Sequence, residues 1–140
     1  MKQTQVHEAG HLLIARQYGF KVHDAWAEDT EYGNGEVTAE MLLDHKYSAP
    51  IEVVVRDFAS AGVAAEIAYY GKTTLRESSA YRVSNDMEIG EFRSIYDLIA
   101  HAQRLAAHMS PESIEACAKD VRIVRKEYSY GSQRIPETHL

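Results

Sequence analysis

The residues of this chain best placed to do chemistry are His7, Glu8 and His11, in the stretch Val6-His7-Glu8-Ala9-Gly10-His11-Leu12-Leu13-Ile14-Ala15. Positions i and i+4 of an α-helix lie one above the other, so His7 and His11 can aim two imidazole nitrogens at one metal ion. Glu8 then stands beside them as a general base for a water activated by that metal. Two imidazoles and a third donor leave a tetrahedral zinc ion one open position, the arrangement that hydrolyses peptide carbonyls. Gly10, in the same helix, costs about 1 kcal/mol against alanine. Its presence there predicts that another element packs closely on that face.

The helix that carries these residues is predicted over 4–18, with Thr4 as N-cap and Gly19 as the C-terminal stop. Two extended segments follow, 21–28 and 36–41, the second alternating Val37, Ala39 and Met41 with Glu36, Thr38 and Glu40. The Asn34-Gly35 pair between them favours a tight turn with positive φ angles, and so a small antiparallel sheet. Its exposed edge is of the kind that can hold an extended peptide.

A second helix is predicted from Ser48-Ala49-Pro50 to Tyr70, before Gly71. Ile51, Val54, Val55, Phe58, Ala61, Ala65 and Ala68 mark its buried side, and the small residues of 59–65 make a natural seat for Gly10. Glu66 stands in this apolar stretch as a ligand, as a partner behind a ligating histidine, or as a carboxylate at the helix rim. Residues 72–84 read as a loop. Ser84-Asn85-Asp86 is expected to cap a third helix reaching His108, with Phe92, Ile95, Ile99, Ala102 and Ala106 inward. Ser110-Pro111 restarts the chain into a fourth helix whose stripe is Ile114, Cys117, Val121, Val124 and Tyr128. The fold expected is α+β, mainly α: the His-Glu-x-x-His helix, a small antiparallel hairpin or sheet, then three further helices in a bundle. Residues 1–128 form one domain and 129–140 a tail.

Composition narrows the function. At 140 residues the chain is long enough for one real core. A net charge of −6 argues against a nucleic-acid partner, because neutralising phosphates needs a basic patch. The single cysteine, Cys117, excludes an internal disulfide and fits a reducing compartment. No apolar run is long enough for a membrane span and no signal-peptide pattern precedes the motif, so a cytoplasmic protein is expected. Gly71-Lys72-Thr73-Thr74 resembles the end of a phosphate-binding loop, but the glycine required five residues before Gly71 is replaced by Glu66, and a helix precedes it in place of a strand. No ATP site is expected.

Two histidines need a third donor. The metzincin continuation would place Gly at position 14 and His at position 17, where this chain has Ile14 and Gln17. Asp86, Glu66, Asp57, His23, His45, His101 and His108 remain. Chemistry favours a carboxylate at the start of a helix, where the dipole stabilises it, which points to Asp86.

These pieces together resemble the peptidase domain of the FtsH-type ATP-dependent zinc proteases. The resemblance rests on His7-Glu8-Ala9-Gly10-His11, on Ala61-Gly62-Val63-Ala64-Ala65-Glu66 leading to Gly71, and on Ser84-Asn85-Asp86. It spans roughly residues 5–127 and implies zinc held by His7, His11 and Asp86, with Glu8 as the catalytic base. Val63 and Ile67 depart from the family's arginine and second glutamate. With no ATPase module in the sequence, the resemblance implies a stand-alone zinc metalloendopeptidase acting on unfolded proteins or peptides. A separate ATPase and a homo-oligomer are the further partners it suggests. The alternative is an inactive relative that binds zinc or partner proteins without cutting them.

Overall fold

A computed structural model describes residues 1–31, 33–42, 44–71, 91–125, 129–130 and 133–134. In chain order the elements are α1 (Gln3–Tyr18), β1 (Lys21–Glu28), β2 (Gly35–Glu40), α2 (Ile51–Tyr70), α3 (Ile95–Ala106), α4 (Pro111–Ala118), β3 (Arg122–Val124), β4 (Ser129–Tyr130) and β5 (Gln133–Arg134). The architecture is α+β and mainly α: four helices among the described residues, with a three-stranded sheet of order β2-β1-β3. No helix of the described residues is long and apolar enough to cross a membrane.

Helix α1 is the hub, lying against α2, α4 and β1. Val6, Ala9, Leu12 and Ile14 bury its inner face. It ends where Gly19 takes φ 77°, and the Gly19 amide donates to the Arg16 carbonyl at 3.2 Å. Helix α2 is enclosed on all sides through its middle: Ala59 to Ala65 are all buried, because α1, α3 and α4 each pack on it. The small side chains there let α1 come close. A Cβ at Gly10 would overlap the Ala61 carbonyl oxygen and lie 2.5 Å from the Ala65 Cβ. Leu98, Ala102 and Ala106 of α3 and Ile114, Cys117 and Ala118 of α4 complete the core.

Several elements differ from expectation. Thr4 is not the N-cap; Lys2 holds that position without a side-chain bond, and Thr4 sits one residue inside the helix. Neither Asn34 nor Gly35 has positive φ. The connection spans 29–34, Gly35 already pairs with Ala27, and the loop is drawn toward the start of α1. The sheet is mixed, since β3 runs parallel to β1, with Trp26 opposite Arg122 and Glu28 opposite Val124. The stripe from Ile114 to Tyr128 predicts residues 122–124 within the fourth helix. That helix stops at Ala118, and the β-branched Ile123 and Val124 of the segment beyond it find an open strand edge on β1.

A continuous helix from 84–86 to His108 is not formed either. Residues 91–94 are not α-helical, and the Ser94 hydroxyl accepts from the Asp97 amide to start α3. Ile51, expected inside, is 49% exposed at the first residue of α2. Within 129–140, Ser129–Tyr130 pairs antiparallel with Gln133–Arg134.

Candidate metal centre

His7 lies one turn into α1, so the start of that helix must be fixed if the imidazole is to hold one position. The fixing comes from the β1–β2 connection. The Gln3 amide, one of the N–H groups a helix leaves unpaired at its start, donates to Glu31 Oε2 at 3.0 Å. That carboxylate also lies at the positive end of the helix dipole. The Thr4 hydroxyl donates to the Thr30 carbonyl at 2.7 Å and accepts from the Gly33 amide at 3.0 Å. The Tyr70 hydroxyl donates to the Met1 carbonyl at 2.9 Å. Burial, then the charge of Glu31, then Tyr69 and Glu66, push the Tyr70 phenol up to about 12, so it stays a donor.

From this base His7 and His11 project toward one point. Their Nε2 atoms face each other at 3.2 Å. His7 Nδ1 donates to Glu66 Oε2 at 2.9 Å, and His11 Nδ1 donates to the Phe58 carbonyl at 2.8 Å. A carbonyl can only accept, so His11 carries its proton on Nδ1, and an ionised Glu66 sets the same tautomer in His7. In the neutral rings both Nε2 atoms then present lone pairs to the same space. Two lone pairs at this distance favour a cation between them. Two nitrogens about 2.05 Å from a tetrahedral zinc would stand about 3.3 Å apart. Carboxylate and carbonyl acceptors on the far ring nitrogen are also the partners that ligating histidines usually have. The spacing and orientation of the two imidazoles are therefore compatible with a shared zinc ion.

Glu8 is 4% exposed and lies against the start of β2, where a Cβ at Gly35 would be 2.6 Å from Glu8 Cγ and 2.8 Å from Oε2. The edge strand thus begins at the carboxylate.

Glu66, 1% exposed, is a helix-interior carboxylate held by two donors, His7 Nδ1 and the Gln3 side-chain amide. It meets the ring nitrogen of His7 that faces away from His11. Asp57 is engaged elsewhere, accepting from Tyr18 at 2.5 Å and from His101 Nε2 at 2.6 Å. His23 pairs with Glu40 at 3.1 Å on the sheet, His45 packs its ring on Tyr47 with centroids 4.7 Å apart, and His108 is exposed. Asp86 lies outside the described residues, as do Ser84 and Asn85. Among the described residues no group of three His, Cys, Asp or Glu side chains forms a metal-binding set.

The sequence does not single out Gln3 or the Phe58 carbonyl, and it offers Gly62 only as part of a small-residue run, not as the seat of the His7 ring. A Cβ at Gly62 would come 2.5 Å from His7 Cδ2, so only glycine leaves room for the ring. The small-residue run around Gly62 was a usable signal; a backbone carbonyl leaves none. No protein-family model matches the chain, and neither the curated proteins nor the solved structures contain a match to it.

Proposed function

We propose that the chain is a zinc-dependent endopeptidase of the FtsH type, cutting unfolded proteins or peptides. The observation that supports this most is the facing pair of Nε2 atoms at 3.2 Å, each ring oriented from behind by its own acceptor. His7 and His11 would hold the metal, with Asp86 as the third ligand implied by the family resemblance. Bound there, zinc would polarise the scissile carbonyl and a water. Glu8 takes the proton of the attacking water on its carboxylate and returns it to the leaving amide nitrogen. Glu66 and the Phe58 carbonyl keep the two Nδ1 protons in place, so both rings offer only Nε2 toward the metal. Gly35 leaves the Glu8 carboxylate beside the first residues of β2, where an extended peptide would lie alongside the sheet.

The test is metal analysis of purified protein together with cleavage of unfolded casein, with and without a chelator. About one zinc per chain and chelator-sensitive cleavage are expected. Zinc without cleavage by wild-type protein would leave a binding domain, and a chain that takes up no zinc would overturn the reading.

A further inference from the structure

Gln3 belongs to no part of the motif, yet it is the residue that ties Glu66 down. It lies one turn before His7 on α1, and both side chains reach the same carboxylate on α2: Gln3 Nε2 donates to Oε1 while His7 Nδ1 donates to Oε2. We infer that Gln3 is a positioning residue for the metal centre, acting through Glu66 on the imidazole of His7. The inference rests on the peptidase reading for its metal, and on geometry alone for its effect on the ring.

The terminal torsion of a glutamate is soft, so a carboxylate held at one oxygen can swing. A donor at Oε1 fixes the plane of the group, and with it the direction in which Oε2 meets the His7 N–H. The donor's type matters as much as its place. A lysine at position 3 would neutralise Glu66 and weaken its pull on the imidazole proton. A neutral amide orients the carboxylate and leaves its whole charge for His7. Gln3 is itself held at the backbone by Glu31. All three groups are largely out of water: Gln3 is 8% exposed, Glu66 1%, and the His7 side chain 12%. Solvent therefore does little to replace a lost donor.

The experiment uses the full chain with Gln3→Met, which keeps length and volume without the amide. Gln5→Met is the control, since Gln5 lies on the same helix and donates to the Ala118 carbonyl at 3.2 Å. In metal-free protein at pH 8, long-range proton–nitrogen correlation reads the tautomer of His7. The wild type and Gln5→Met should hold the proton on Nδ1, whereas Gln3→Met should give a mixture of tautomers. In chelator competition Gln3→Met should bind zinc about 10–100-fold more weakly, with no such loss in Gln5→Met. On a Glu66→Gln background the same substitution should cost nothing further, which a merely structural role would not produce. If the methionine variant does not fold, Gln3→Asn keeps an amide but falls one methylene short, and should show the same changes. An unaltered His7 tautomer in the folded variant overturns the inference. If wild-type protein binds no zinc, the peptidase reading fails, while the metal-free spectra still decide the role of Gln3.

Discussion

The imidazole of His7 rests on the backbone of Gly62, with 2.5 Å between its Cδ2 and the point where a Cβ on residue 62 would lie. Alanine is the better helix former by about 1 kcal/mol, so propensity alone would make Gly62→Ala stabilising. The added methyl must displace the ring that Glu66 holds from the other side. On the peptidase reading, Gly62→Ala loses at least about ten-fold in zinc affinity. Chelator competition measures this, and an unchanged affinity would show that the ring does not depend on this gap.

Gly10→Leu tests the other close approach of α1 and α2. Its side chain would have to enter space occupied by the Ala61 carbonyl and the Ala65 methyl. Overpacking of this kind costs about 1–3 kcal/mol, enough to outweigh the gain in helix propensity. Thermal unfolding should show a clear fall in Tm. A rise would mean the helices part without cost.

Glu8→Gln separates chemistry from binding. The amide keeps the shape beside Gly35 but cannot take a proton, so peptide hydrolysis should fall by about 10²–10⁴-fold with zinc retained. Wild-type turnover in this variant would remove Glu8 from the mechanism.

Tyr18 supplies a pH signature. Burial, then its hydrogen bond to Asp57, push its phenol up to about 12 in the folded chain, above the ordinary value of 10.0. A pKa raised by folding contributes stability that is complete below about pH 10 and is lost as the pH rises through about 12. Urea unfolding between pH 9 and 12 should show that loss, and Tyr18→Phe should flatten it. An equal slope in the variant would assign the alkaline loss to other groups.

How much of this was legible beforehand follows from the kind of signal each feature leaves. Gly19, Gly71 and Ser110-Pro111 punctuate the chain with residues whose backbone preferences are local, and the helices begin or end where these stand. The small residues around Ala61 foretold the close approach of Gly10. The fourth helix was overextended because Ile114, Cys117, Val121 and Val124 keep a helical spacing across Ala118. Only the distant β1 edge decides that 122–124 becomes a strand. The Asn-Gly turn failed for a similar reason, since residues 30, 31 and 33 bond to α1. Around the histidines, side-chain types were readable. The Phe58 carbonyl and the long reach of Gln3 were not, because any sequence supplies carbonyls and amides everywhere.

The span of the His7–Glu66 bond has a consequence for how the chain comes to its native state. These partners are 59 residues apart, and Gln5 reaches a carbonyl 113 residues away. Contacts of such separation form only after large loops have closed, which slows folding in comparison with helical bundles of local contacts. Helix α1 precedes α2 in the chain and therefore lacks the acceptors that orient both imidazoles until α2 has docked. The paired nitrogens are a late product of folding, and a half-made chain does not yet present them.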